Sequence, residues 1–481
     1  MKIKALSLSV AALLFFQFEA CSQKVENKIQ LVENNLLPDI QVKGDTPQTM
    51  QQRMAYYKVH AVSVAVIHNY KLEWAKAYGY ADDGLKKQAT TQTLFQAGSV
   101  SKSLNAIGVL KLAQDKKIDL YSDINTYFTS WKFPYDSLSK NKKITIANLL
   151  SHTGGVNLHG FWGYEKDKPL PNIVQILNGE KPANSPAVKS MFEPGLRFQY
   201  SGGGVTISQL ILMDVTHQAY DKYMYNTVLK PLGMTASSYT QPPADTQDLL
   251  ATGYDERGNE IKGRYHIYPE QAAAGLWTNP TDLAKYIIET QLSLQGKSNK
   301  VLNQEMTRLR LTPYIDNSAA LGVFIDELNG EKYFQHSGSD VGFLTKYYGS
   351  MEGGNGVVVM VNSDNGGIMN EIINSVADVY KFKGLNRSSV KETVSVSEDV
   401  LRQYTGKYQL APNFLLTISS NDGRIYGQAT GQEKLEIFPE AQNKFFLKIA
   451  PIEIEFIKDA SGKISKAILY QNGAHEAKKV E

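Results

Sequence analysis

The sequence predicts an α/β protein of the α+β kind, in which an antiparallel sheet flanked by helices receives a largely helical insertion and is followed by a small all-β barrel or meander. Three observations predict it. Residues 62–80 read as a strand, a tight turn and a returning strand; strand patterns come back after a helical, loop-rich stretch at about 118–320; and apolar and polar residues alternate cleanly beyond about 398.

In chain order, Lys2 and Lys4 precede an apolar run over 5–18 that is too short to span a bilayer, which predicts a signal peptide over 1–20. Cys21, the only cysteine, follows Ala20 in a context that resembles the lipobox of bacterial lipoproteins. Lipidation at Cys21 is therefore expected, with the protein exported to the periplasm or cell envelope and the membrane reached only through that anchor. Residues 21–48 are polar and irregular, and are expected to form a tether followed by an entry helix.

The hairpin then opens with apolar, β-branched and aromatic residues at 62–67 and 72–80, separated by His68-Asn69-Tyr70-Lys71. Leu104, Ile107, Leu110 and Ala113 recur at helical spacing behind Ser99, and Asp115-Lys116-Lys117 stops the helix. Strand patterns return at 321–328, 332–336 and 356–361, with turns at Asn329-Gly330 and Gly353-Gly354-Asn355-Gly356. Ile368, Ile372, Ile373, Val376 and Val379 describe a closing amphipathic helix. The Ser-, Val- and charge-rich stretch 386–397 reads as a linker. Beyond it, Ile452, Ile454 and Phe456 alternate with Glu453 and Glu455, and turns recur at Asn421-Asp422-Gly423, 459–462 and Asn472-Gly473.

Composition narrows the function. An apolar share of 42% and a charged share of 21% over 481 residues are globular values that exclude wholesale disorder and a polytopic membrane protein. The net charge of +3, with Lys and Arg scattered, gives no basis for nucleic-acid binding. No H-E-x-x-H or G-x-S-x-G occurs, which argues against a catalytic zinc and against an α/β-hydrolase nucleophile elbow.

A serine and a lysine three residues apart on a helix share one face, so a buried lysine can take the serine's proton. The spacing occurs at Ser99/Lys102, Ser137/Lys140 and Ser388/Lys391. Only Ser99 opens an apolar helix, where first-turn N–H groups favour a developing oxyanion.

Phe95-Gln96-Ala97-Gly98-Ser99-Val100-Ser101-Lys102-Ser103 resembles the first motif of the serine β-lactamase-related family, which includes class C β-lactamases, DD-peptidases, D-aminopeptidases and esterases. Leu149-Leu150-Ser151-His152-Thr153-Gly154-Gly155, Pro194-Gly195 leading to Tyr200-Ser201-Gly202, Pro231-Leu232-Gly233-Met234, and His336-Ser337-Gly338 resemble further family markers, in the family's order. The resemblance covers about 59–380 and implies a hydrolase domain at 49–385, while the alternating stretch at 398–481 reads as a separate β domain. It also implies a cleft between sheet and helical insertion that holds Ser99 as nucleophile and Lys102 and Tyr200 as proton carriers.

Tyr200 stands 101 residues after Ser99, ahead of Gly202-Gly203-Gly204, read here as a bare loop. A tyrosine between two ammonium groups can lose its proton near neutral pH. The family often has Asn where Gly202 stands, and its β-lactamases have Lys where His336 stands, so the chain is more similar to the peptidase and esterase branches. His336 is read as ending a strand and binding a substrate carboxylate only weakly. Gly202, His336, Ser337 and Gly338 are the expected substrate-binding residues, and the N–H groups of Ser99 and Ser339 the expected oxyanion hole. No cofactor or metal is required. Small esters, D-amino-acid amides or peptides, and β-lactams are the candidate substrates in that order, the alternative being a non-catalytic cell-wall sensor. His152 is read as structural, and Ser363-Asp364-Asn365 as out of order for the family's second motif.

Overall fold

The hairpin at the start of the domain forms as its turn chemistry demands. Strands β1 (Ala61–His68) and β2 (Lys71–Asp82) join through Asn69 and Tyr70, whose φ values of 52° and 61° give the two-residue turn that matches strand twist. After the helical insertion come β3 (Phe324–Leu328), β4 (Glu331–Asp340), β5 (Phe343–Ser350) and β6 (Gly356–Val361). With the short strand Lys87–Gln88 on the outside, the seven strands run in the order Lys87–Gln88, β2, β1, β6, β5, β4, β3, antiparallel throughout. Every residue of β6 is buried, as are all but the last of β1, so the sheet's centre is covered on both faces.

One boundary differs in a way that matters for the site. β4 does not end at His336: its pairing with β5 continues to Asp340 opposite Phe343. Ser337-Gly338-Ser339 carries little strand propensity, and it is the neighbouring strand that holds it extended.

Helix α1 (Ser101–Gln114) is buried nearly all round, and so has almost no amphipathic face. Its polar side chains are satisfied inside the fold. Asn105 donates to Ser208 Oγ at 3.0 Å and accepts from the Tyr220 hydroxyl at 3.0 Å, while Ser103 donates to the Gly322 carbonyl at 3.0 Å. Helix α2 (Gly202–Thr216) begins where a bare loop was expected; Ser201 caps it by accepting the Gly204 N–H at 2.8 Å. Helix α3 (Pro280–Leu294), capped by Asn279, packs against β1, β2, β5 and β6. The closing helix forms at Gly367–Tyr380.

The computed structural model describes residues 22–481, so the expected signal peptide over 1–20 and lipidation site Cys21 lie outside the described residues. The chain divides into a unit built mainly on Gln51–Met369 and a second built on Leu31–Met50, Asn370–Val379 and Leu385–Glu481. The supposed tether is regular in large part: residues 22–33 are helical, Ile40–Val42 is a strand, and Met50–Tyr57 forms the entry helix. Ile40–Val42 pairs in parallel with Ser389–Lys391, inside the stretch read as a linker. Such a pairing joins residues far apart in sequence and leaves no local pattern. Within the second unit, eight strands from Gly406–Ala411 to Ala474–Lys479 close into a barrel, with its own apolar core of Tyr408, Ile418, Phe445, Ile454 and Phe456.

Candidate active site

The short strand Phe95–Gln96 pairs with Trp277–Thr278 and delivers the chain into a tight turn, Gly98–Val100, that precedes α1. Gly98 has φ +51°, and a Cβ there would lie 2.5 Å from the Ser339 nitrogen, so both conformation and space require glycine. Ser99 sits on this turn and Lys102 on the first turn of α1. Lys102 is 2% exposed, and its Nζ donates to Ser99 Oγ at 2.8 Å and to the Ala273 carbonyl at 2.7 Å. Neither of the other Ser/Lys spacings is buried this way. Lys140 has a 69% exposed side chain and faces Glu193, while Lys391 pairs with Glu440 and Glu453.

The edge of β4 supplies the second wall. Pairing with β3 stops at Gln335 opposite Phe324, leaving residues 336–340 with a free outer edge. The Met351 N–H donates to the Lys332 carbonyl, and from there the alternation of an antiparallel ladder turns the backbone of Ser337 and Ser339 away from β5, toward that edge. The edge lies hard against the Gly98–Val100 turn: a Cβ on Gly338 would come within 1.9 Å of the Ala97 carbonyl oxygen and 2.8 Å of the Ser99 nitrogen. The amides of Ser99 and Ser339 are thereby brought to one place, the arrangement an oxyanion needs.

Tyr200 lines the same cavity as Ser99 and Lys102, with Lys102 Nζ 5.2 Å from its ring centroid. Its ring stacks on His152 at 4.2 Å and stands 4.7 Å from His159. His152 accepts the Ser201 N–H on Nδ1 at 3.1 Å; burial, helped by the Lys102 charge, keeps its imidazole neutral, well below the usual histidine range. His152 is thus structural in its bonding, yet it positions the tyrosine. Gly202 does not line the cavity. Its N–H donates to the His159 carbonyl at 3.0 Å, and a Cβ would meet that oxygen at 3.1 Å and Phe161 at 3.2 Å. The loop through Phe161 occupies the space a side chain at 202 would take.

His336, Ser337, Gly338 and Ser339 all line the cavity, whose volume is about 730 Å³. His336 is not the weak cation expected. Burial and then the Lys102 charge push its pKa down to about 3, against the opposing pull of the Ser337 carbonyl. Because that carbonyl, 2.6 Å from Nδ1, can only accept, Nδ1 carries the proton, and Nε2 is enclosed without a partner. Among the described residues that line the cavity, Lys102 is the ammonium group beside Tyr200.

Two buried acids complete the surroundings and had no signal in the sequence. Asp340, the residue after Ser339, is raised well above the carboxylate range by burial, with Lys102 and the Gly98 amide pulling the other way. Glu270, just before the helix Gln271–Ala274 that offers the Ala273 carbonyl to Lys102, is raised to about 7 by burial, while its carboxyl accepts from the Tyr164 hydroxyl at 3.5 Å. Ser363-Asp364-Asn365 is a turn in which Asp364 accepts the Gly342 N–H at 2.8 Å. Among the described residues, no group of three His, Cys, Asp or Glu side chains is placed to hold a metal ion.

A helix-flanked antiparallel sheet with a serine–lysine pair at the foot of a buried helix, a tyrosine in the same cavity and a free strand edge beside the serine defines the penicillin-recognising serine hydrolase class of fold. The chain belongs to the beta-lactamase family, whose family model matches residues 47–380; residues 390–479 match a domain of unknown function, DUF3471. It is 25% identical over 366 residues to Protein flp of Staphylococcus aureus (strain N315), covering 75% of this chain and 69% of that protein. It is 23% identical over 439 residues to penicillin-binding protein 4* of Bacillus subtilis (strain 168), covering 83% and 90% respectively. The octameric penicillin-binding protein homologue from Pyrococcus abyssi has the same fold, with a TM-score of 0.63 at 21% identity over 89% of this chain and 98% of that one.

Proposed function

We propose that the protein is a serine hydrolase that cleaves an ester or amide through an acyl-enzyme on Ser99. The observation that carries this reading is the 2.8 Å bond between Lys102 Nζ and Ser99 Oγ, made by a 2% exposed lysine beside a free strand edge. Ser99 Oγ attacks the carbonyl carbon, and its proton passes to the Lys102–Tyr200 pair, which acts as one coupled proton store. The amides of Ser99 and Ser339 take the oxyanion. The bond to the leaving group breaks as the pair returns the proton to it. Water then attacks the acyl carbon, gives its proton to the same pair, and releases Ser99 with its own proton restored.

Small esters come first among substrates, then D-amino-acid amides or peptides, then β-lactams. The absence of a cationic His336 and of a side chain at 202 supports that order, since both would hold groups that peptides and penicillins carry. Export, with lipidation of Cys21, belongs to the same proposal and is read from the N-terminal sequence alone.

The test is intact-mass and peptide mass spectrometry after incubation with a fluorophosphonate, a penicillin and 4-nitrophenyl acetate. A fluorophosphonate adduct on Ser99, with ester hydrolysis that disappears in Ser99→Ala, is the expected result. A stable adduct without turnover of any ester or amide would instead identify a sensor, and no adduct at all would overturn the hydrolase reading.

A further inference from the structure

The cavity's rim carries an aromatic side chain in an unusual state. Trp162 is 78% exposed, although hydrogen bonds hold the backbone around it. The Trp162 carbonyl accepts from His266 Nδ1 at 2.8 Å and from the Tyr268 hydroxyl at 3.5 Å. Tyr164, two residues on, exchanges both backbone hydrogen bonds with Ile267, and on the other side the His159 carbonyl holds the Gly202 N–H. Gly163, at φ +66°, is packed so closely that a Cβ would lie 2.6 Å from the Tyr268 ring. A large apolar ring held in water by a pinned backbone is presented, in the way that binding surfaces present aromatics.

The charge lining the cavity is as informative. Lys102 is the only lysine or arginine among the described lining residues, and it already donates to Ser99 and Ala273. His336, where a cation would meet a carboxylate, is buried and neutral, with one nitrogen bonded to the Ser337 carbonyl and the other enclosed. Asp340, buried on the same wall and held protonated, adds no positive charge. A substrate carboxylate entering here would be desolvated beside a lysine already committed to Ser99 and Ala273, with no second lysine or arginine among the described lining residues to pair with it, a costly combination.

Building on the hydrolase reading, we propose that the site selects uncharged esters or amides bearing an aromatic group, with Trp162 and Phe161 as the platform that determines specificity and the β4 wall excluding substrates with a free carboxylate. Peptides ending in a free carboxylate are thereby poor substrates, and aryl-substituted neutral acyl groups good ones.

The experiment compares kcat/KM for the 4-nitrophenyl esters of acetic, phenylacetic and 4-carboxyphenylacetic acids on the full chain, with fluorophosphonate labelling of Ser99 run in parallel. The phenylacetyl ester is expected to exceed its carboxylate analogue at least about tenfold. Trp162→Ala is expected to lower the ratio of the phenylacetyl to the acetyl value about two- to tenfold through the phenylacetyl KM, the range for one lost aromatic contact. His336→Lys is expected to narrow or reverse the preference against the carboxylate. Equal or faster turnover of the carboxylate ester by the unsubstituted protein would overturn the proposal, as would equal losses on both acyl groups in Trp162→Ala. So would failure to hydrolyse any of the three by a Ser99 that still labels. A Ser99 that neither labels nor turns over any ester would overturn the hydrolase reading itself, and this proposal with it.

Discussion

Replacing Gly338 by alanine tests the contact on which the proposed oxyanion site depends. The new Cβ would stand 1.9 Å from the Ala97 carbonyl oxygen and 2.8 Å from the Ser99 nitrogen, both of them backbone atoms that cannot rotate aside. An ordinary carbon–oxygen contact is about 3.3 Å, so the strand edge and the nucleophile turn must part by roughly 1.4 Å. Oxyanion donors work at about 2.7–3.1 Å, and a displacement of that size removes the Ser339 N–H from reach. Loss of one such donor typically costs about 10²- to 10³-fold in kcat. Gly338→Ala is therefore expected to lower kcat/KM for 4-nitrophenyl acetate by at least about a hundredfold, chiefly through kcat, and to slow fluorophosphonate labelling of Ser99 comparably. The Lys102–Ser99 spacing lies within one turn of chain and is expected to survive. Activity within threefold of the unsubstituted protein would refute the placement of the oxyanion between these two amides.

Lys102→Met keeps the volume of the buried side chain but removes the amine, and kcat is expected to fall by about 10²- to 10⁴-fold with KM little changed, as measured by initial rates on the same ester. Glu270→Gln addresses stability. Because the folded pKa is raised from 4.5 to about 7, the native state holds its proton longer than the unfolded chain, so stability is full below about pH 4.5, declines as pH rises through about 7, and stays low above it. The rise corresponds to about 3 kcal/mol, and urea unfolding is expected to show Glu270→Gln more stable than the unsubstituted protein at pH 8.5 by up to that amount, the advantage vanishing near pH 4. Parallel pH profiles of the two proteins would contradict it. Gly202→Asn, which restores the residue common in the family, is expected to leave penicillin hydrolysis unimproved and to lower the unfolding midpoint, since the His159 carbonyl and Phe161 already fill that space.

Much of the architecture was legible in the order of residues. The Asn69-Tyr70 and Asn329-Gly330 turns, the alternation around Ile454 and Phe456, and the spacing of Ser99 and Lys102 are local patterns, and local geometry decides which side chains share a face or reverse a strand. The helical insertion and the closing helix at Gly367–Tyr380 were visible for the same reason. Residues 21–48 carry no local pattern for the strand Ile40–Val42, because that strand is held by a partner at Ser389–Lys391, far along the chain. Helix α1 shows only a faint periodicity because it is buried on every side, with Ser103 and Asn105 satisfied by residues from other segments.

Sequence alone determined that Ser99 opens a helix with a lysine one turn on, and that a Tyr-Ser-Gly and a His-Ser-Gly segment accompany it. Only the tertiary structure decided that His336 is neutral, that the amide of Ser339 lies beside Ser99, that Gly202 is covered by the loop through Phe161, and that Trp162 is held out at the rim. The reason is physical: side-chain spacing is fixed by bonds along the chain, whereas desolvation and the meeting of distant strands depend on everything packed around a group, which no local stretch encodes.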